Sequence, residues 1–286
     1  MNKTMKRTSQ IALLAGSITA IGMLATALVV SRHPAELAPL TLVKPAVEAK
    51  PKQRSLSISF RAYLVAKRWF DFTVAAMALV ALSPLMAAIA VLIKLDSPGP
   101  VFFTQERVGS KVRGKNGKRS WEAKAFNVYK FRTMTVNNDA SEHQKFVQAM
   151  IKGDNATLEQ INGKIEGADK FKIKNDKRVT KIGKFLRKTS LDELPQLFNV
   201  IKGEMSIVGP RPAIAYEVDV YAPHHFRRLE AQQGITGWWQ ATARSNVDFE
   251  TMVDLDAWYV DNQSFWLDLK IMVMTPLSVL KGKGAA

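Results

Sequence analysis

Two long stretches without charged residues dominate the hydrophobic pattern of the chain. The first covers residues 11–30 and is flanked on both sides by lysine and arginine. At 1.5 Å per residue, a helix of this length measures about 30 Å, the thickness of a bilayer core. A secretory signal peptide is the alternative, but its apolar region is usually about 7–15 residues long and no clean small-x-small cleavage site follows here. The pattern favours an N-terminal transmembrane helix, with its flanks, over residues 1–32.

The second uncharged stretch, residues 72–93, is interrupted by Ser83-Pro84. Proline lacks a backbone donor and clashes with the carbonyl four residues back, that of Val80, so the helix is predicted to kink or break there. A kinked helix can enter a bilayer and leave on the same face if Ser83 or a neighbouring helix satisfies the freed backbone groups. A simple transmembrane helix with a proline kink is the alternative, and the local pattern barely separates the two.

The distribution of basic residues bears on the course of this second helix. Three lysines and arginines precede the first stretch, and eight lie between the two stretches, through Arg68. The positive-inside rule places the intervening proline-containing linker, residues 33–66, in the cytoplasm. Residues 97–286 are also strongly basic, and if they share that side, the second helix must return to the face that it entered. We therefore predict a re-entrant membrane helix over 67–96 and a cytoplasmic, membrane-associated domain over 97–286.

The remainder of the chain alternates short apolar segments with turns. Helices outnumber strands, and no regular alternation of strand, helix and strand appears. The last apolar segment, residues 265–280, has Trp266 near its start and suits a helix at the membrane interface. The predicted class is α+β and helix-rich: a monotopic membrane protein with interfacial helices and a small sheet. The predicted elements are strands at 101–105, 125–134 and 205–208, polar helices within 138–170, a basic loop at 109–117 and a tight loop at 234–239.

A pair of adjacent acids marks the segment with the most suggestive chemistry. The sequence SLDE at 190–193 matches a capping box and predicts a helix over 191–200, with Ser190 as its N-cap and a stop at Lys202-Gly203. Asp192 and Glu193 would then lie in the first turn, where the helix dipole keeps them ionised. An ionised carboxylate can attack phosphorus or hold a hard metal ion. Acids are also common in first turns without further function, and the local pattern alone favours that interpretation.

The composition narrows the class of partner. The chain carries a formal net charge of +16 and a pI of about 10.0, which favours nucleic acid, anionic lipid or phosphorylated substrates. It has no cysteine, which excludes disulfides and thiol chemistry. There is no G-x-G-x-x-G motif and no Walker A loop, and no cluster suggests zinc. His224-His225 is interpreted as a solvated pair in a loop.

Several cations recur at the ends of the predicted loops and strands. Arginine forks bind phosphate oxygens through two hydrogen bonds, so fixed cations near two carboxylates suit a phosphate ester. A magnesium ion on one carboxylate would complete such a site and leave the other carboxylate free as a nucleophile. The basic residues of 111–119 are interpreted as solvated or as contacts to lipid headgroups. The candidate substrate-binding residues are Lys130, Arg132, Arg187, Arg211 and Arg244.

Ordered motifs between residues 67 and 270 are typical of one family. They are KRWFD at 67–71, the Ser83-Pro84 break, SPGPVFFTQERVG at 97–109, YKFRTM at 129–134, the stretch from DKRVTKIG to SIVGPRP at 176–212, GITGWWQATAR at 234–244 and WLDLK at 266–270. With these motifs the chain resembles the bacterial sugar transferases, the monotopic polyprenyl-phosphate phosphoglycosyl transferases that include undecaprenyl-phosphate galactose and glucose phosphotransferases. It departs from the usual family pattern at Lys177, Trp239 and residues 243–245.

The resemblance implies a mechanism and a location. Asp192 would attack the β-phosphate of a UDP-sugar and release UMP, and polyprenyl (undecaprenyl) phosphate would take the sugar phosphate from the covalent aspartyl intermediate. The lipid-linked product, with glucose or galactose expected as its sugar, begins an exopolysaccharide, a capsule or another surface glycan. The resemblance assigns Mg²⁺ to Glu193, and phosphates or support of the carboxylates to Lys130 and Arg187. It implies a catalytic domain on the cytoplasmic face of the bacterial inner membrane, turned back at Ser83-Pro84, and is compatible with a homodimer.

Two other functions compete with this interpretation. A membrane-tethered basic domain could recruit nucleic acid, but the cations are interleaved with a carboxylate pair and no nucleic-acid motif is present. Asp192 and Glu193 could be a hydrolytic pair, but adjacent residues in one turn do not readily flank a glycosidic bond, whose carboxyls lie about 5–9 Å apart. A phosphoryl-transfer enzyme without a nucleic-acid partner is therefore expected.

Overall fold

The computed structural model describes residues 58–115, 118–136, 141–162, 176, 178–243 and 247–280. The predicted N-terminal transmembrane helix, most of the predicted linker and Arg244 lie outside the described residues. Helices predominate within them, and the strands form two small sheets, which confirms the helix-rich α+β class. The elements are α1 (Ile58–Asp96), β1 (Phe102–Lys115), β2 (Lys118–Phe131), α2 (Ser141–Lys152), α3 (Asn155–Asn162), α4 (Lys181–Thr189), a 3-10 turn (Leu191–Glu193), α5 (Gln196–Lys202), β3 (Ser206–Val208), α6 (Ala215–Val218), a 3-10 helix (Pro223–Leu229), β4 (Gly234–Thr236), α7 (Trp238–Thr242), α8 (Phe249–Asn262) and α9 (Phe265–Leu280).

The first sheet is a long antiparallel hairpin. Phe102 pairs with Phe131 at its base, and Lys115 pairs with Lys118 at its tip. The prediction of a basic loop at 109–117 is therefore wrong, since β1 continues to Lys115. Cross-strand pairing with β2 extends the strand through a polar stretch whose own side-chain pattern carries no strand signal.

The second sheet joins two strands that are distant in the sequence. Ser206 pairs with Gly234 and Val208 with Thr236, in parallel. The prediction of a tight loop at 234–239 is therefore wrong, because the chain forms β4 and then α7 there. The predicted strand at 205–208 is confirmed as β3, whereas β4, with three residues, is too short for the alternating pattern that identifies a strand.

The long helix α1 contains Pro84, where a kink or a break was predicted, and it does not break there. It is helical from Ile58 to Asp96, with Pro84 inside, and its first residues fall in the segment predicted as linker. The Ser83 hydroxyl donates a 2.9 Å hydrogen bond to the carbonyl of Val80, which Pro84 leaves without its usual backbone donor. Ser83 thus satisfies the freed backbone group, and this local hydrogen bond allows the helix to continue.

Buried polar contacts attach α1 to the rest of the fold near its start. Lys67 Nζ lies 2.6 Å from Asp268 Oδ2 of α9, with the two side chains only 7% and 5% exposed. The hydroxyls of Tyr63 and Tyr259 donate to the same carboxylate at 2.8 and 2.7 Å. These donors compensate the cost of burying the charged pair. Lys67, the first residue of the KRWFD motif, is therefore structural.

The following residues of that motif complete the attachment. Arg68 donates to the carbonyls of Val200 at 2.6 Å and Ile201 at 2.8 Å, near the end of α5, where a helix leaves carbonyls without intrahelical partners. Asp71 accepts a 2.7 Å hydrogen bond from the hydroxyl of Ser206. The start of the apolar run is thus bound to both α5 and β3.

The far end of α1 is bound to the same domain by a different set of groups. Arg132, just after β2, is buried and donates to the carbonyls of Ser97, at 2.7 Å, and Pro98. Asp96 accepts a 3.1 Å hydrogen bond from the backbone N–H of Ile182 in α4. Both ends of the apolar run therefore contact one folded domain.

Helices α1 and α9 present large apolar side chains to the outside. Trp69 and Leu95 of α1 are 69% and 79% exposed, and Trp266 of α9 is 78% exposed. By length and composition, α1 is a helix that could cross a membrane. Exposed apolar side chains of this size are typical of surfaces that contact a partner or a membrane.

Replacing Asp268 by alanine is expected to lower the free energy of unfolding by about 3–5 kcal/mol, because Lys67 would stay buried without its partner. The midpoint of thermal unfolding in detergent measures the effect. Asp254→Ala, on the exposed side of α8, is the control and is expected to change the stability by less than about 0.5 kcal/mol. Equal midpoints for the two variants would contradict a structural role for the buried pair.

Candidate active site

A small open cleft lies between the hairpin, the acidic turn and the β3–β4 sheet. Its charged lining consists of three cations and one carboxylate, and two side-chain amides face it as well. Such a surface attracts anions, and its arginines can bind phosphate through paired hydrogen bonds. The cleft is lined by Arg107, Val128, Lys130, Glu193, Gln196, Arg211, Pro212, Gly234, Ile235 and Gln240.

The turn that carries the two acids differs from the predicted capped helix. Ser190 ends α4 in the left-handed conformation, with φ 57°, and its side chain makes no capping hydrogen bond. Residues Leu191–Glu193 form a single 3-10 turn, and α5 begins only at Gln196. The capping-box prediction is wrong because Ser190 already closes the preceding helix. The predicted stop is confirmed, since α5 ends at Lys202 with Gly203 as its C-cap.

Asp192 lies in this turn in a partly buried position. Burial raises the pKa of its carboxyl above the ordinary value; the charge of Lys130 opposes this rise, that of Glu193 adds to it, and that of Arg187 opposes it. The direction is opposite to the one predicted from a helix start, because one 3-10 turn provides little dipole. Carboxyls whose pKa is shifted by burial and specific charges are typical of functional sites.

Glu193 points into the cleft and is paired with a cation. Its Oε1 lies 2.6 Å from Lys130 Nζ, and both side chains are partly buried. Burial alone would raise the pKa of Glu193, but the charge and hydrogen bond of Lys130, followed by the charges of Arg211 and Arg107, outweigh it and lower that pKa. The adjacent acids thus have pKa shifts of opposite sign, which suits two different roles.

The structure brings most of the predicted cations to the acids, but not Arg132. Lys130 and Arg211 line the cleft, and the charge of Arg187 acts on Asp192 while its Nε donates to Thr133 Oγ1 at 3.0 Å. Arg132 is instead directed to the carbonyls that follow α1. Its side chain extends from the end of β2 toward the turn at Ser97, and it is not among the residues that line the cleft.

Arg107 is a cleft residue that the sequence analysis missed. It is buried, its Nη1 donates to the carbonyl of Pro212 at 3.1 Å and its Nη2 to Gln105 Oε1 at 2.6 Å. Burial, followed by the charge of nearby Arg211, lowers its pKa to about 10, so it remains charged at neutral pH. The only feature of the sequence that could have indicated this role is a charged residue beside Val108 in a partly apolar strand. Gln196 and Gln240 carried no comparable signal.

The two acids have the donor chemistry of a magnesium site. Mg²⁺ takes oxygen ligands, usually from one or two carboxylates together with substrate phosphates. Asp192 and Glu193 are adjacent in one turn, and Lys130 donates to one of the two Glu193 oxygens. A carboxylate can bind a cation through its other oxygen, so these residues fit Mg²⁺.

A second cluster of side chains that could bind a metal lies outside the cleft lining. His224, His225 and Glu250 bring their ligand atoms within 4.8 Å of one another. His225 Nδ1 accepts a 3.0 Å hydrogen bond from the N–H of Ala222, so the neutral ring carries its proton on Nε2, which lies 2.9 Å from Glu250 Oε1. A metal would need the lone pair of that nitrogen. The group is a hydrogen-bonded link between helices, and buried His225 corrects the prediction of a solvated pair.

Comparison with known proteins identifies the family. The sequence model of the family described as bacterial sugar transferase matches residues 62–282. The chain belongs to the bacterial sugar transferase family. The match begins within α1, extends past the end of α9 and includes every residue that lines the cleft.

Curated relatives show how far the similarity extends. The sugar transferase is 40% identical over 221 residues to an uncharacterized sugar transferase of Haemophilus influenzae, and 39% identical over 219 residues to the undecaprenyl-phosphate galactose phosphotransferase of Salmonella typhimurium. Each alignment covers 77% of this chain, but only 42% and 41% of those two relatives. The exopolysaccharide production protein ExoY of Sinorhizobium fredii is 38% identical over 221 residues, covering 77% of this chain and 88% of the relative.

Proposed function

We propose that this sugar transferase moves a sugar 1-phosphate from a UDP-sugar to polyprenyl phosphate, with undecaprenyl phosphate as the carrier, and releases UMP. The product begins an exopolysaccharide, a capsule or another surface glycan. The observation that carries the proposal is partly buried Asp192 in the same turn as Glu193, whose side chain lines a cleft with Lys130, Arg107 and Arg211. The names of the Salmonella relative and of an Aeromonas hydrophila UDP-N-acetylgalactosamine-undecaprenyl-phosphate N-acetylgalactosaminephosphotransferase support this class of substrate.

In the first step Asp192 is the nucleophile. One of its carboxylate oxygens bonds to the β-phosphorus of the UDP-sugar, and the bond from that phosphorus to the oxygen bridging the two phosphates breaks. UMP leaves with the bridging oxygen, and the sugar phosphate remains on Asp192 as an acyl phosphate. Burial supports this role, because a poorly solvated carboxylate loses less hydration when it attacks.

In the second step the phosphate of the polyprenyl carrier attacks the same phosphorus. The bond to Asp192 breaks, the carboxylate is regenerated, and the sugar is left on a polyprenyl diphosphate. Covalent catalysis thereby replaces one displacement between two bulky substrates by two displacements at a single carboxylate.

The cations of the cleft account for binding of the diphosphate. Arg107 and Arg211 offer guanidinium donors, and Lys130 adds a charge beside Glu193. Fixed donors of this kind stabilise charge that develops on phosphate oxygens without reorganising during the reaction. When bound, Mg²⁺ neutralises further charge on these oxygens, and Glu193, with Asp192 beside it, would hold the ion.

The course of α1 bears on how the protein meets the membrane. Residues 72–93 would measure about 33 Å as a helix, enough to cross a bilayer. Lys67 and Arg68 bind the domain before this run, and Asp96 binds it after the run. A crossing helix would hold these contacts on opposite faces. We therefore favour a re-entrant course at the inner membrane, with the domain in the cytoplasm.

Release of UMP tests the proposed function. Detergent-solubilised protein is incubated with Mg²⁺, undecaprenyl phosphate and, in separate reactions, UDP-glucose, UDP-galactose or their N-acetylated relatives. UMP is expected from at least one donor, together with an undecaprenyl-diphosphate sugar. If none of these donors yields UMP, the proposal fails.

Replacing Lys130 by methionine is expected to move the acid limb of the pH–kcat profile to higher pH. Attack requires ionised Asp192, and activity is lost as the pH falls through its raised pKa. Lys130 is the foremost charge that lowers this pKa, so its removal raises the pKa further. The pH profile of UMP release measures the shift. Lys202→Met, which removes an exposed lysine bonded to Tyr129, is the control, and an unshifted limb for Lys130→Met would contradict the coupling.

Labelling of single cysteines is expected to place both ends of α1 on the same face. The natural chain has no cysteine, and Ala62 and Lys94 are exposed near the two ends of the apolar run. In intact spheroplasts, a membrane-impermeant maleimide should label neither Ala62→Cys nor Lys94→Cys until the cells are permeabilised. Labelling of one of the two before permeabilisation would show that the helix crosses the bilayer.

A further inference from the structure

The side chain of Gln240 gives the cleft an acceptor that the proposed chemistry does not use. Gln240 lies in α7 and lines the cleft. Its Oε1 is buried and has no hydrogen-bond partner among the described residues, while its Nε2 donates weakly to the carbonyl of Ile235 at 3.4 Å. A buried amide oxygen without a partner is unfavourable and calls for an explanation, such as a ligand that satisfies it.

The packing around Gly237 fixes the position of this oxygen. A Cβ atom at Gly237 would lie 2.6 Å from Gln240 Oε1 and 2.4 Å from the carbonyl oxygen of Gly209. The absence of a side chain at Gly237 therefore lets the Gln240 amide approach the backbone of the β3–β4 sheet. The partly buried side chain thus places its buried Oε1 against the backbone that follows β3 and β4.

The chemistry of an amide oxygen selects its partner. It accepts hydrogen bonds and donates none, whereas the oxygens of an ionised diphosphate carry no proton to give. Arg107, Lys130 and Arg211 already offer donors for those oxygens. Within the donor substrate, the group that can satisfy Gln240 is therefore an O–H or N–H outside the diphosphate.

We propose that the Gln240 carboxamide oxygen accepts a hydrogen bond from an O–H or N–H group of the sugar or nucleoside of the donor substrate. The cleft then has two parts, with cations for the diphosphate and an amide for the neutral portion of the same molecule. This inference rests on the proposed function and adds to it a residue that recognises the donor but not the lipid acceptor.

The test compares Gln240→Met, which keeps the length of the side chain and removes its polar atoms, with Gln263→Met. Gln263 is the matched control because its Nε2 also donates to a backbone carbonyl, that of Val260, at the end of α8. For Gln240→Met the KM for the UDP-sugar is expected to rise by a factor of about two to ten, as for loss of one neutral hydrogen bond. The KM for undecaprenyl phosphate and the unfolding midpoint should stay unchanged. General damage to the cleft would instead change these quantities together with the KM for the donor.

Direct binding of UDP and of the UDP-sugar, measured by calorimetry without acceptor and with Asp192→Asn in both the reference and the Gln240→Met protein so that no adduct forms, distinguishes the two sources of the donated hydrogen bond. Weaker binding of both ligands places the group on the nucleoside, and weaker binding of the UDP-sugar alone places it on the sugar. Unchanged affinity for both ligands overturns the inference. Gln240→Asn, which withdraws the amide by one methylene, provides the same comparison if the methionine variant does not fold.

The outcomes also separate this inference from the function on which it rests. If the wild-type protein releases no UMP and binds neither ligand, the proposed function fails. If the wild type is active and Gln240→Met keeps its donor KM and affinity, the function stands and the role of Gln240 is wrong.

Discussion

Asp192→Asn is expected to abolish the reaction, with the rate of UMP release lowered by a factor of about 10⁴ or more. An asparagine amide is nearly the same size as the carboxylate but is not a nucleophile toward phosphorus at neutral pH. The change also removes a partly buried acid whose pKa is raised by desolvation, so the fold should not be weakened. UMP release from the UDP-sugar, with the unfolding midpoint recorded in parallel, measures the effect.

The control for this variant is Asp254→Asn, which changes an exposed aspartate of α8 in the same way. It should retain the full rate. Residual turnover of Asp192→Asn within tenfold of the wild type would show that another group attacks the phosphorus. Glu193, the neighbouring acid on the cleft, would then be the first alternative.

Glu193→Gln should have the second-largest effect, with kcat lowered by a factor of about 10²–10³. The variant removes the partner of Lys130 and the carboxylate assigned to Mg²⁺. It also removes a charge that raises the pKa of Asp192, so the acid limb should move to lower pH while the maximum falls. Titration of activity with Mg²⁺ is expected to show a higher half-saturating concentration.

The shift of the acid limb to lower pH and the higher half-saturating Mg²⁺ concentration distinguish Glu193 from the nucleophile. Glu159→Gln on α3, where the residue is exposed, is the control and should alter neither the rate nor the Mg²⁺ requirement. A Glu193→Gln enzyme with unchanged Mg²⁺ dependence and an unmoved acid limb would contradict both assigned roles.

The sequence predicted the large features of the fold because they depend on local patterns. The apolar run of α1 identified a long helix, and Gly203 identified the end of α5. It also indicated that Ser83 could satisfy the backbone group freed by Pro84, and the hydroxyl does so in a helix that continues there. The sequence predicted β3 as a strand but neither β4 nor the parallel pairing, because these strands gain their hydrogen bonds from partners distant in the chain.

Only part of the candidate site was predicted from the sequence, because local patterns identify its motifs but not the direction of each side chain. Asp192, Glu193 and Lys130 belong to motifs with evident chemistry, and the structure brings them together. The direction in which each side chain leaves the backbone is set by tertiary packing, which sends Arg132 to the turn after α1 and Arg107 into the cleft. Gln240 became visible only as a buried oxygen without a partner among the described residues.

The mass of the protein after incubation with the donor alone tests the central claim most directly. Purified enzyme is mixed with Mg²⁺ and its UDP-sugar in the absence of polyprenyl phosphate, quenched, and analysed intact and after proteolysis. We predict an increase by the mass of one sugar phosphate, located on the peptide that carries Asp192 and absent from Asp192→Asn. Release of UMP without any adduct, or an adduct that persists in Asp192→Asn, would contradict the account.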